Sequence, residues 1–399
     1  MNLLSSLPRW NSDPVQLSLP LPRARVGLDP ILCMAAVTLL TWGLVMVASA
    51  SIAQAQKVAG DPFYFFWRQL AFAGAGGLIG WATFLVPMHV WERKSGWLAV
   101  LGILLLLVVL IPGIGIKVNS ARRWIDLEVF RLQASEPARL ALIMYLAGYI
   151  VRRQAKLQNT FSGVLVPLIP LAVAAVLLLL EPDFGATVIL FGVAFVMLFL
   201  GGARLLHIGV LALSGVAALG LIAVAAPYRM RRLLNFTNPF DDVEGGGWQL
   251  ANSLIAVGRG EWTGVGLGSS VQKLLYLPEM HTDFIFAILA EEFGLLGILT
   301  LIALFGVVVW RGFVIGARAD ARNERFKACL VYGLTIWLGL QALINMGVNL
   351  GALPTKGLTL PLLSYGGSSL ITVLCMLALI LRVDYENRLA FEKVRSPRA

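Results

Sequence analysis

Long apolar stretches alternate along the chain with short polar connections. Ten predominantly apolar stretches lie at roughly 29–53, 66–86, 96–114, 137–151, 161–180, 184–202, 205–226, 284–310, 327–350 and 364–382. A helix that crosses a bilayer takes roughly 20 residues, so the pattern predicts about ten membrane-spanning helices. The expected fold is an all-α polytopic integral membrane protein. A large outer loop, 227–283, would separate the seventh and eighth spans. Residues 1–28 and 383–399 flank the ten-span domain, 29–382, as cytoplasmic tails, the first of them extended. The first apolar run is too long, and starts too late, for a signal-peptide core. Ala48-Ser49-Ala50 resembles a cleavage site, but the run reads as a retained span.

Composition sharpens this picture. Of 399 residues, 58% are hydrophobic and 14% charged, against about 25% charged in soluble domains. Mean hydropathy is +0.80. A string of soluble domains is excluded. Cys33, Cys329 and Cys375 are scattered and match no metal or disulfide spacing. The pI of about 9.8 belongs to loops rather than to a soluble basic domain, so nucleic acid is not an expected partner.

An even number of spans puts both termini on one side, and charge selects the cytoplasm. With that orientation the inner segments hold 19 of the 32 Lys and Arg residues and the outer segments 13, as the positive-inside rule requires. Ten of the 13 outer cations fall in two loops, 115–139 and 227–283. Long loops translocate whatever their charge, but Arg and Lys at an outer surface also suit an anion site. Charge alone leaves both accounts open.

Several stretches carry candidate chemistry. In "LYLPEMHTDFIFAILAEEFG" (275–294), Thr282 or Asp283 could cap the following helix. An extended segment would instead set Glu279, His281 and Asp283 on one face, a trio suited to Mg²⁺ or Mn²⁺ rather than structural zinc. The favoured reading is a lone acid, Asp283, acting as a base at the mouth of the bundle. Glu291 and Glu292 would lie roughly 12–14 Å further along the helix, a depth at which carboxylates are functional or paired; pairing within the bundle is favoured. In "RRWIDLEVFRLQASEPARL" (122–140), Glu136 and Arg139 share a helix face, while Trp124 and Phe130 anchor an amphipathic interfacial segment. "GVGLGSSVQK" (264–273) is a tight turn or a phosphate nest that includes Lys273. "PTKGLTLPLLSYGGSS" (354–369) carries Lys356 and reads as a broken or re-entrant segment. Glu181-Pro182-Asp183 adds outer acid, with Asp183 as a helix cap.

"YLPEMHTDFIFAILAEEFG", "NMGVNLGALPTKGLTLPLLSYGGSS" and "WQLANSLIAVGRGEWTGVGLG" together resemble the SEDS family, the shape, elongation, division and sporulation proteins. "PTKG" at 354–357 and the ending "LRVDYENRL" look like its cell-division branch. The resemblance implies ten spans and a peptidoglycan glycosyltransferase that joins lipid II into β-1,4 glycan strands, with inversion and release of undecaprenyl pyrophosphate. It places the family's essential acid on Asp283, its functional lysine on Lys356, its outer arginine on Arg123, and its outer Glu and basic pair on Glu136 and Arg139. Lys273 and His281 complete the candidate substrate-binding set. The sequence departs from the family's usual motifs at Asn119-Ser120-Ala121, Gln133-Ala134-Ser135-Glu136 and Gly268-Ser269-Ser270, which bears on loop positioning. No tightly bound cofactor is expected; a divalent cation, Mg²⁺ or Mn²⁺, would suit the leaving group. The implied setting is the septal inner membrane. The implied partners are membrane lipid, a class B penicillin-binding transpeptidase of the FtsI type, and regulators of the FtsQ-FtsL-FtsB and FtsN type. A lipid II flippase would also need a lipid groove and cations, but the outer cations have no mirrored inner set. A scaffold that only recruits division proteins would leave Asp283, Lys356 and Arg123 without a task.

Overall fold

A computed structural model of the chain describes residues 27–118, 121–127, 130–224, 239–241, 247–355 and 357–395. Among them the helices are α1 (Pro30–Ala59), α2 (Tyr64–Leu85), α3 (Met88–Leu110), α4 (Ser135–Arg152), α5 (Gln154–Asn159), α6 (Phe161–Leu180), α7 (Phe184–Leu200), α8 (Leu205–Val224), α9 (Trp248–Gly260), α10 (Ile285–Asp320), α11 (Arg325–Asn349) and α12 (Gly367–Arg395). The ten predicted spans coincide with α1–α4, α6–α8 and α10–α12. Length and composition alone qualify α1, α3, α6, α10, α11 and most of α12 to cross a membrane, and α7 and α8 contribute shorter apolar helices. Helix α4 owes its polar content to its surroundings. Twelve of its eighteen residues are buried, so protein rather than lipid meets Glu136 and Arg139.

The ends of the spans shift for local reasons. Asp29 caps α1, accepting from the Leu32 amide at 2.9 Å, and Pro30 occupies the first turn, where its missing N–H costs nothing. The Asp29 carboxylate also pairs with Arg311 and Arg388, tying the start of α1 to α10 and α12. The stretch from residue 383, expected as a tail, continues α12 as far as Arg395. Arg388–Asp384 at 2.7 Å and Arg382–Glu386 at 2.9 Å, both spaced i,i+4, run along that extension.

Two expectations about irregular segments change. The 115–133 region is a three-stranded antiparallel sheet: β1 (Gly115–Val118), β2 (Ala121–Asp126) and β3 (Arg131–Gln133), in the order β1-β2-β3. It replaces the amphipathic segment expected there, because its backbone groups find partners across the sheet, with Trp124 opposite both Ile116 and Gln133. The eighth span, meanwhile, is two helical pieces joined at Gly294, whose φ of 62° and ψ of −160° are non-helical. The carbonyls freed at the break, on Glu291 and Glu292, accept from the amides of Val265 and Gly266 at 3.0 and 3.1 Å. The freed amides of Leu295 and Leu296 donate to Glu261 and Trp262. The segment after α9 thus satisfies the broken backbone, the condition for irregular chain inside an apolar bundle. Every residue from Ile285 to Glu292 is buried.

Candidate active site

Asp283 sits in the turn that leads into α10, half-buried. Neither it nor Thr282 caps that helix: the cap position is Phe284, which makes no side-chain bond to the first turn. Asn349 takes over part of the task, its Oδ1 accepting from the Ala287 amide at 3.3 Å. The Asp283 carboxylate is therefore free of local backbone duties. Its main chain is held instead. The carboxamides of Asn345 and Asn349 donate to the Asp283 carbonyl at 2.9 and 3.1 Å.

Gln341, Asn345 and Asn349 recur every four residues along α11 and so share one face. Asn345 also donates to the carbonyl of Leu358, and Gln341 to that of Thr359 at 2.9 Å. The ladder thereby binds the 357–369 segment to the turn bearing Asp283. That segment is further fixed by Gln69, which donates to the Ser364 carbonyl at 3.0 Å and accepts from the Gly366 amide at 3.2 Å. Gly357 lies against the acid: a Cβ there would come within 3.0 Å of Asp283 Oδ2. This ladder is the main part of the site absent from the sequence reading. The amides at four-residue spacing in "LQALINMGVNL" were the available signal, since such groups in an apolar helix need buried partners.

Arg123 reaches the same region from β2. Its Nε donates to the Glu181 carbonyl at 2.9 Å and its terminal nitrogen to the Pro182 carbonyl. Asp183, next in that turn, caps α7 through the Ala186 amide at 3.1 Å and accepts from the Ser135 hydroxyl at 3.1 Å. The turn packs on the 357–369 segment, where Gly185 abuts the Leu358 side chain. Burial pushes the Asp283 carboxyl up to about 7; repulsion from Glu279 and Asp183 adds to the rise, and Arg123 opposes it. An acid raised toward neutrality within the field of Arg123 is suited to accept a proton.

The other candidates fall in three groups. His281 is buried, its ring 4.6 Å from that of Phe65 and 5.5 Å from that of Tyr365, and burial lowers its pKa. Glu279 has a φ of 55° and accepts from the Thr282 hydroxyl. The segment is a series of turns rather than a strand, so the expected common face for Glu279, His281 and Asp283 does not form. Among the described residues, no three His, Cys, Asp or Glu side chains are grouped to hold a metal.

Lys273 is committed elsewhere. Its ammonium pairs with Glu292 at 2.9 Å and donates to Ser49 of α1 at 3.1 Å, almost wholly buried. Glu291 accepts from Arg259 at 3.0 Å and from Ser270 and the Val271 amide. The "GVGLGSSVQK" stretch thus folds onto its own two glutamates, a structural inclusion rather than an open phosphate nest. Glu136 and Arg139 form a buried ion pair, with the guanidinium 4.7 Å from the Trp337 ring centroid. Lys356 lies outside the described residues.

A family model described as cell cycle protein, of the FtsW/RodA/SpoVE type, matches residues 30–389. A protein of Alkalilimnicola ehrlichii named as a probable peptidoglycan glycosyltransferase FtsW is 53% identical over 92% of this chain and 92% of its own length. A Legionella pneumophila protein of the same name is 51% identical over 88% of this chain and 89% of its own. Among solved structures, one concerned with the structural coordination of polymerization and crosslinking by a peptidoglycan synthase complex aligns with a TM-score of 0.74. It is 27% identical, over 91% of this chain and 99% of that one. The rod shape determining protein RodA of Thermus thermophilus aligns with a TM-score of 0.65 at 27% identity, over 90% of this chain and 98% of that one.

Proposed function

The chain belongs to the FtsW/RodA/SpoVE family of cell cycle proteins, and from that membership we propose a peptidoglycan glycosyltransferase that polymerises lipid II, with Asp283 as its general base. The multi-pass bundle holds the reaction at a membrane, where a lipid-linked substrate resides. Asp283 removes the proton of the attacking sugar hydroxyl. The new bond forms at the anomeric carbon of the other sugar as its bond to pyrophosphate breaks, with inversion. Pyrophosphate departs as an anion, so one base and a cationic cavity suffice; a glycosidase, by contrast, must also protonate its sugar leaving group. Arg123 and Lys356 receive the pyrophosphate, and charge on the leaving group grows in the transition state, where cations act most strongly. A divalent cation would help to neutralise that charge, with most of its ligands drawn from the phosphates, as Mg²⁺ commonly does.

The observation that carries this reading is the treatment of Asp283. Its main chain is clamped by two asparagines while its carboxylate is left uncapped within the field of Arg123. A purely structural acid would be spent on a cap or an ion pair. The partner proposed is a class B transpeptidase, in keeping with the resemblance to a synthase complex that couples polymerization to crosslinking. Regulators of the FtsQ-FtsL-FtsB and FtsN type, a septal location, cytoplasmic termini and an outward-facing site complete the proposal.

The test is purified protein with its transpeptidase partner and labelled lipid II. Asp283→Asn should cost on the order of 10²–10⁴ in rate, the usual contribution of a general base, without loss of partner binding. Polymer from that variant at the wild-type rate would refute the assignment.

A further inference from the structure

Glu181 closes α6 and is fully buried, and among the described residues neither of its carboxylate oxygens has a hydrogen-bond partner. Among the described residues, the charged groups acting on it are Asp183, from the start of α7, and Arg123, from β2. Each is occupied in a different way. Asp183 spends its carboxylate on the Ala186 amide and the Ser135 hydroxyl. Arg123 donates to the main-chain carbonyls of Glu181 and Pro182 and forms no ion pair among the described residues. So the guanidinium is held in place by neutral groups, and no carboxylate among the described residues is paired with it.

A buried carboxylate without a donor is costly, and the group neutralises instead. Burial pushes Glu181 up to about 8, helped by Asp183 and opposed by Arg123. Ionised, it would set its own negative charge, next to that of Asp183, against the Arg123 guanidinium. Protonated, it leaves the guanidinium charge to an incoming anion.

We propose that Glu181 serves this site as a neutral carboxylic acid, a positioning residue that keeps the Arg123 charge available to the phosphates of the substrate. The proposal rests on the polymerase reading above. Its mechanical path is short: the turn bearing Glu181 holds Arg123 by its carbonyls and abuts Leu358, next to Gly357, which touches Asp283. Proton loss from Glu181 therefore sets an alkaline ceiling on substrate binding.

Two measurements test this on the purified protein with its transpeptidase partner. Infrared difference spectra, wild type minus Glu181→Gln, should show a protonated-carboxyl band at neutral pH that disappears around pH 8. Lipid II polymerisation by Glu181→Gln, followed against pH, should stay within about threefold of wild type at neutral pH. Its alkaline decline, read as a rise in KM, should move up by about one pH unit or more. Should Glu181→Gln not fold, Glu181→Met supplies the same subtraction and the same profile. Absence of the band overturns the proposal, as does an alkaline limb shared with wild type. So does a loss beyond about tenfold at neutral pH in a folded variant, because an ionised carboxylate would then be required. Failure of the polymerase reading is separable. It would appear as full activity in Asp283→Asn, whereas the infrared band reports on Glu181 whatever the reaction.

Discussion

The carboxamide nitrogen of Asn345 donates both to the main-chain carbonyl of Asp283, at 2.9 Å, and to the carbonyl of Leu358. One side chain on α11 therefore fixes the candidate base relative to the 357–369 segment beside it. Asn345→Ala should release the Leu358 carbonyl and leave the Asp283 carbonyl to Asn349 alone, at a stability cost of about 1–3 kcal/mol for the buried group left unpaired. Displacement of the acid by about 1 Å should lower turnover by about 10²-fold, with lipid II binding nearly intact. Steady-state polymerisation with a separate binding assay checks this; unchanged kcat would remove Asn345 from the positioning role.

The pH dependence follows from the raised Asp283 carboxyl. A base works ionised, so turnover should fall as pH drops through about 7. Stability has the opposite sign. Because the folded-state value lies above the ordinary 3.8, the stabilising contribution is complete below 3.8 and is lost as pH rises through about 7. Asp283→Asn should therefore melt higher than wild type at alkaline pH, with the gap closing in acid. Thermal unfolding in detergent at both extremes decides it.

Lys273 should prove structural. Its removal leaves Glu292 buried with only the Ser49 hydroxyl, and breaking a buried pair costs about 3–5 kcal/mol. Lys273→Met should unfold easily, and adding Glu292→Gln should recover most of the loss. A Lys273→Met protein of normal melting temperature that cannot bind lipid II would instead make Lys273 a substrate ligand.

Gly294 should tolerate no side chain. A Cβ there would meet Gly264 N at 2.4 Å, Gly260 O at 2.6 Å and Thr263 N at 2.7 Å, all backbone atoms. Its φ of 62° is also unfavourable to any other residue. Gly294→Ala is expected to abolish accumulation of folded protein, whereas Gly306→Ala, in open space on the same helix, should be neutral. Fluorescence-detected size exclusion would compare the two.

Orientation has its own check. In a cysteine-free background, a cysteine at Ser269 should react with an impermeant reagent added outside intact cells, and one at Ala155 or Ala321 should not. The reverse pattern would put Asp283 on the cytoplasmic side.

The sequence by itself determined the bundle. Runs of apolar residues separated by charged connections permit few solutions in a bilayer, and the charge bias fixes the expected orientation. Ionisable groups at membrane boundaries are conspicuous against an apolar background, which drew attention to Asp283, Glu136 and Arg139, and the family resemblance assigned roles to Asp283 and Arg123. Tertiary structure decided which of these meet. Arg123 and Asp283 share a field only because a small sheet, the α6–α7 turn and the 357–369 segment converge, contacts that join residues as far apart as 123 and 283. Lys273 and Arg123 are both outer-loop cations in sequence, yet in the fold Lys273 is buried against Glu292. The Gln341–Asn345–Asn349 ladder was visible as a spacing, but its partners are main-chain carbonyls, which every residue carries and no sequence distinguishes. Glu181 was likewise visible as an acid. Its neutrality depends on burial and on the absence of a donor, and both are properties of packing rather than of residue type.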